Sequence, residues 1–246
     1  MPEPVLILGA TSAIGRHVAA SFAARGHALF LAGRNLLEVE RVAADLRIRH
    51  RVETVAGRFD AEDYEGHREF LQDVVRRMSD VEGVVVAFGY LGEQGAAAKD
   101  FEETFRVIDR NFTAAVSILN HCAEFFEQRR GGFIVAVSSV AGDVGRQSNY
   151  LYGAAKGGLN VYLQGLRARL FRAGVRVLTV KPGFVDTPMT FGRPRLFLVA
   201  SPAEVGEKIV RAVERRADVA YVPWFWRFIM LALKLTPERL RKRLKV

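Results

Sequence analysis

Tyr152 and Lys156, in Tyr152-Gly-Ala-Ala-Lys156, stand four residues apart and so share one face of a helix, a turn from each other. A phenol has an ordinary pKa of about 10 and is a poor acid–base group at neutral pH. A neighbouring ammonium favours the phenolate and lowers that value. Tyr152 is then expected to give a proton to a carbonyl oxygen while hydride arrives at the carbonyl carbon. Thirteen residues upstream, Ser139 in Ser138-Ser139-Val140-Ala141-Gly142 directly follows an apolar run, where its hydroxyl could bind and polarise the same oxygen. Ser138 and Tyr150 are decoys: the first lies closer to the strand, and the second has Ala154 four residues on, with no lysine. Asn111 lies within a long helical stretch, where an amide is unfavourable. Two readings stay open for it. It bonds backbone or a water that relays protons to Lys156, or it is a polar residue on an exposed helix face.

A Tyr/Lys pair at this spacing is common by chance, so its context decides. The elements that must position it alternate regularly. Val5–Gly9, Ala28–Ala32, Val52–Ala56, Val84–Ala87, Phe133–Val137 and Val175–Val180 are short apolar runs that read as buried parallel strands. Segments of helical period lie between them: Ile14–Arg25, Leu36–Arg49, Tyr64–Met78, Phe101–Gln128 and Tyr152–Arg172. A further helix, Pro202–Arg216, opens with Ser201 as N-cap and leads to a last strand at Val219–Val222. This alternation predicts an α/β fold: a Rossmann-like, doubly wound parallel sheet in a single three-layer α/β/α domain. Residues 1–223 form its body, and 224–246 form an amphipathic, basic C-terminal tail. In such a sheet ligands bind beyond the carboxyl ends of the strands, and each polar constellation falls there or in the following helix.

The first strand runs into Gly9-Ala10-Thr11-Ser12-Ala13-Ile14-Gly15 and a helix. Gly9 permits a tight turn, Gly15 permits close helix approach, and the helix's free amides can hold a pyrophosphate. The second strand ends Leu31-Ala32-Gly33-Arg34-Asn35, with no acid until Glu38. A carboxylate there would bind the ribose 2′-hydroxyl of NAD; Arg34 instead suits a 2′-phosphate. The expected cofactor is therefore NADP(H).

The chain has 246 residues, half of them hydrophobic, which suits one large domain. Its single cysteine, Cys122, cannot form an internal disulfide and lacks zinc-site spacing, so no metal is expected. The N-terminal MPEPVLILGA has neither the basic flank nor the cleavage site of a signal peptide, and a cytoplasmic location is expected. The net charge is +9, and Arg227–Val246 alone carries seven Lys/Arg against one Glu. Nucleic-acid binding is not expected, because the excess is confined to the tail and no reader motif accompanies it. The run Trp224–Leu235 is too short to cross a bilayer but suits a helix lying in the headgroup region, at the inner face of the membrane. The other reading is a substrate lid or subunit contact. Phe191–Val199, with Arg193 and Arg195, is expected to cap the site.

Taken in order, GATSAIG, LAGRN, Asp60, Asn111, Ser139, Tyr152-x3-Lys156 and Pro182-Gly183-Phe184-Val185-Asp186-Thr187 resemble the short-chain dehydrogenase/reductase family over essentially the whole chain. The resemblance implies a catalytic tetrad of Asn111, Ser139, Tyr152 and Lys156, with Tyr152 and Lys156 also touching the cofactor. It implies cofactor contacts from Gly9, Thr11, Ser12, Ile14 and Gly15, from Arg34 and Asp60, and from Ala87 and Gly89. It places Pro182, Gly183 and Thr187 along the nicotinamide. It also implies a homodimer or homotetramer. One departure stands out: where the family has Asn-Asn-Ala-Gly, this chain has Val86-Ala87-Phe88-Gly89. Backbone must then hold the cofactor there with less help from side chains. Val86–Gly92, Asn111–Ser117, Ser138–Leu159 and the C-terminal Val222-Pro223-Trp224-Phe225-Trp226-Arg227 are further similar to the keto-reductase subunit of the decaprenylphosphoryl-ribose epimerase system. That similarity implies a lipid-linked keto-sugar as substrate. The alternatives are a soluble NADP-dependent reductase of acyl or small ketones, and a cofactor-binding scaffold that has lost the reaction.

Overall fold

In a computed structural model of the protein, residues 3–191 and 198–243 are described. Seven strands form one sheet in the order β3-β2-β1-β4-β5-β6-β7, and every pair is parallel. They are β1 (Val5–Leu8), β2 (Leu29–Gly33), β3 (Thr54–Arg58), β4 (Gly83–Val86), β5 (Phe133–Val137), β6 (Arg176–Pro182) and β7 (Val219–Val222). All seven coincide with the apolar runs of the sequence to within two residues at either end.

Side-chain alternation along the strands builds the three layers. Val5 and Ile7 of β1 point to one face, where they meet α1 (Ala13–Ala23) and α2 (Leu36–His50). Leu6 and Leu8 point to the other, into a core shared with α3 (His67–Met78). A short helix, α4 (Gln94–Ala97), precedes α5 (Phe101–Ile108) and α6 (Ala114–Arg129), and α6 and α7 (Tyr150–Leu170) complete that second face. Cys122 of α6 is fully buried there, and burial pushes its thiol up to about 12. Helix α8 (Pro202–Glu214) returns to the first face beside α1, capped by the Ser201 hydroxyl on Glu204 N, as its sequence predicts.

The stretch predicted as one helix, Phe101–Gln128, is one helix with a fault in it. Between α5 and α6 the backbone makes a π-helical turn over Asp109–Thr113. Such turns shift the register of everything downstream by one residue and commonly occur at functional sites. The tail folds as α9 (Trp226–Leu235) and α10 (Glu238–Arg241). Among the described residues, no helix is long and apolar enough to cross a membrane.

Candidate active site

The sheet reverses its winding between β1 and β4, and a cavity of about 540 Å³ opens at the carboxyl ends of the strands there. That is within the usual range of about 300–1,000 Å³ for small-molecule sites. Its floor on one side is the turn between β1 and α1. Gly9 has φ +83°, a left-handed conformation that L side chains rarely adopt, and a Cβ there would lie 2.8 Å from Phe88 N. Gly15 is pressed against the same turn, so that a Cβ on it would come within 2.2 Å of the Gly9 carbonyl oxygen. Ser12 fastens the loop from both sides. Its Oγ accepts from Gly15 N at 3.0 Å and donates to the Ala87 carbonyl, also at 3.0 Å.

Most of the residues singled out in the sequence line this one cavity. Gly9, Thr11, Ser12 and Ile14 do so from the first turn, and Arg34 and Asp60 from the ends of β2 and β3. Ala87 and Gly89 follow β4, Ser139 follows β5, Tyr152 and Lys156 project from α7, and Pro182, Gly183 and Thr187 follow β6. Two do not line it. Gly15 stands behind the turn and shapes it from there. Asn111 is also behind the wall, and it is fully buried, which removes the reading of a polar residue on an exposed helix face. Its amide is wholly engaged with backbone: Nδ2 donates to the Val107 carbonyl at 2.7 Å and to that of Tyr90, and Oδ1 accepts from Tyr90 N at 3.1 Å. The π turn is what aims this side chain sideways at the strand β4 exit. The same arrangement places Asn111 next to Lys156, because a Cβ on Gly89 would lie 2.8 Å from Asn111 Oδ1 and 3.4 Å from Lys156 Nζ.

Ser139, in extended conformation, caps a short turn by accepting from Ala141 N at 3.1 Å, and its hydroxyl acts to lower the pKa of the Tyr152 phenol. Ser138 points away, its hydroxyl donating to the Lys156 carbonyl, and Tyr150 is exposed. Lys156 is 3% exposed, donates to the Val137 carbonyl at 3.0 Å, and lies 5.8 Å from the centre of the Tyr152 ring. The electrostatics depart from the sequence expectation. Burial pushes the Tyr152 phenol up to about 12, and only the Ser139 hydroxyl opposes it. Burial also brings the Lys156 ammonium down to about 8. In the free protein desolvation therefore dominates at both groups, raising the phenol and lowering the ammonium.

The expected asparagine positions hold Val86 and Ala87, and Phe88 follows them. The Phe88 ring packs 6.0 Å from that of Phe59, and the Ser12 bond to the Ala87 carbonyl secures the chain. Phe191, Leu198 and Val199, at the margins of the expected cap, are exposed, while Arg193 and Arg195 lie outside the described residues. Helix α9 packs behind the segments that follow β5 and β6. Trp226 and Met230 are buried against Val140 and Val144, and a Cβ on Gly183 would overlap the Trp226 indole at 1.9 Å. Gly183 thus makes room for the tail helix as well as bordering the cavity. Asp143 joins these pieces: it accepts from Lys181 Nζ at 2.6 Å and the Tyr221 hydroxyl at 2.6 Å, with Lys234 of α9 at 3.4 Å. Sequence reading missed Asp143, Lys181 and Tyr221, because three charged or polar residues on separate elements carry no local pattern.

Residues 3–194 match the model of the short chain dehydrogenase family. An uncharacterized oxidoreductase of Mycobacterium tuberculosis is 35% identical over 98% of this chain and 96% of its own length. Among solved structures, a short-chain dehydrogenase from Sphingobium yanoikuyae in complex with NADPH superimposes with a TM-score of 0.84. It is 27% identical, covering 99% of this chain and 96% of the other. A bulky-bulky ketone specific alcohol dehydrogenase from Comamonas testosteroni gives 0.80 at 25% identity, covering 97% and 96%. The chain belongs to the short chain dehydrogenase family. It is an oxidoreductase acting between CH–OH and C=O groups.

Proposed function

We propose that the protein is an NADP(H)-dependent carbonyl reductase, with Tyr152 as the proton donor. The supporting observation is the convergence of Ser139, Tyr152 and the buried Lys156, a turn from that tyrosine, on the wall of one cavity whose far end carries Arg34. The residues present fit a phosphorylated dinucleotide. A turn that only glycine can make leaves the amides at the start of α1 open to a pyrophosphate, and Arg34 stands exposed where a 2′-phosphate would lie. Bound there, NADPH supplies the hydride. Ser139 holds the carbonyl oxygen of the substrate, and Tyr152, protonated throughout the neutral range, gives that oxygen its proton. Lys156 keeps a positive charge beside the phenol, and Asn111 fixes the backbone at Tyr90 from behind it. The test is NADPH oxidation over a panel of ketones. Tyr152→Phe is expected to lower kcat by about 10²–10⁴-fold. Equal rates for the two proteins would remove the assignment.

The tail favours a finer version of this reading, in which the ketone is a keto-sugar on a lipid carrier and the enzyme touches the membrane surface. Phe228, Leu231 and Leu235 of α9 are exposed, as is Trp224 before it, while Arg227, Lys234, Arg239 and Lys242 supply cations alongside. Replacing Phe228, Leu231 and Leu235 by Gln is expected to abolish co-sedimentation with anionic vesicles. Unchanged partitioning would reject the membrane contact. A homodimer or homotetramer is proposed on the exposed Phe101 and Phe105 of α5 and Val161 of α7, an apolar surface on two packed helices.

A further inference from the structure

Four cations line the cavity among the described residues, and they differ in what neutralises them. Arg110 pairs with Glu62 at 2.5 Å. Lys156 is held on the Val137 carbonyl, and Arg34 is exposed to solvent. Arg146 has none of these. It is half-buried in the loop between Ser139 and Tyr152, its Nε is shielded from solvent, and among the described residues its side chain has no hydrogen-bond or ion-pair partner. Burial alone acts on its guanidinium, lowering its pKa, with no acid nearby to offset the loss of hydration. A guanidinium does not escape by deprotonating, so the charge stays.

A second polar atom on the same loop is in the same condition. Asn149 Oδ1 is buried without a partner, and the Asn149 side chain does not cap α7 although it occupies the cap position. Both residues line the cavity with Tyr152. Buried donors and acceptors are nearly always satisfied in native proteins. A shielded guanidinium nitrogen and a shielded acceptor, on one loop that lines an open cavity, are satisfied by what enters it.

We propose that Arg146 makes the enzyme selective for ketones that carry an anionic group, a carboxylate or a phosphate, with Asn149 accepting from a hydroxyl or N–H of the same molecule. The inference rests on the reductase reading for its ketone but not for its anion. Arg146 is a specificity residue: a charge-assisted, two-pronged contact to an oxyanion would hold the substrate before any proton or hydride moves.

The experiment uses two matched pairs of probes: β-benzoylpropionate against its methyl ester, and dihydroxyacetone phosphate against dihydroxyacetone. For the native protein, kcat/KM for the anionic member of one pair is expected to exceed that of its neutral partner by tenfold or more, the difference falling on KM. Arg146→Met is expected to bring that ratio near one, and Arg146→Lys to keep part of it. The pair that responds tells carboxylate from phosphate. Equilibrium dialysis of the four probes, with no NADPH present, separates the two readings. Binding of an anion that Arg146→Met weakens tenfold supports the inference even if no ketone is reduced, in which case the reductase assignment alone fails. Ratios unchanged by Arg146→Met, or neither anion bound better than its neutral partner, would overturn it. So would a loss in Arg146→Met of NADPH binding in place of probe binding.

Discussion

The two ends of the cavity are built by different means. The end beneath β1, β2 and β4 is made of backbone. Its turn is shaped by Gly9 and Gly15, locked by one serine hydroxyl, and backed by strands that are buried along their whole length. The end beneath β5, β6 and β7 is made of side chains. Ser139, Arg146, Asn149 and Tyr152 come from one stretch of chain, and α9 holds that stretch from outside through Trp226, Met230 and the Asp143 contacts. Backbone recognises what is common to all dinucleotides. Side chains on a loop and a tail can be exchanged without disturbing the sheet, and that is where a family of one fold acquires its different substrates.

The sharpest way to break this division is to damage the second end and watch the first. Trp226 is 2% exposed and is among the largest fully buried side chains. Removing a buried aromatic to alanine costs about 3–5 kcal/mol of stability. For Trp226→Ala the loss is expected to fall on α9 and the loop it supports. The KM for ketone should rise tenfold or more, while the dissociation constant for NADPH, measured by fluorescence titration, stays within twofold. A parallel loss of NADPH affinity would mean that the two ends are one unit.

The reverse experiment damages the first end. Arg34 is exposed and pairs with no acidic side chain among the described residues. Its proposed pairing with a 2′-phosphate is partly screened by water. Arg34→Ala is therefore expected to cost about 1.4 kcal/mol, a tenfold rise in KM for NADPH, with NADH little affected. The ketone KM should not move. Equal losses with both cofactors would show that Arg34 supports the loop and does not read the phosphate.

The same division decided what was legible in the sequence. The inner strands were readable because a parallel strand buried on both faces is a run of Val, Ile, Leu and Phe. The first turn was readable because a left-handed residue and a close approach both demand glycine, and Ser201 announced α8 because an N-cap is a local event. The π turn at Asp109–Thr113 was not readable. It hides within a continuous helical period and is set by what Asn111 must reach across to, a segment 21 residues earlier in the chain. Nor was the balance at Tyr152. Spacing alone puts a cation beside the phenol, but burial, which depends on the whole fold, moves the pKa the other way. Arg146 carried no signal either: one arginine among the chain's 36 Lys and Arg becomes singular only when its missing partner is seen.

The smallest expected effect is a change of shape in a pH profile, and it tests the point on which sequence and structure differ. The two groups of the pair are moved apart by one cause acting on opposite charges: burial pushes Tyr152 up to about 12 and brings Lys156 down to about 8. In the direction of ketone reduction the phenol must be protonated, and it stays so well above the neutral range. Lys156 is charged below pH 8 and loses its proton above it. The value of kcat/KM, which reports groups of the free enzyme, is therefore expected to be nearly flat from pH 6 to 7, to have fallen by about twofold at pH 8, and to decline beyond. Lys156→Arg keeps the charge through this range, so whatever activity it retains should show no break near 8. A break that survives in Lys156→Arg would belong to another group, with Tyr152 the first candidate. In that case the neighbouring cation would be winning over burial after all, and the phenol would be the group that titrates.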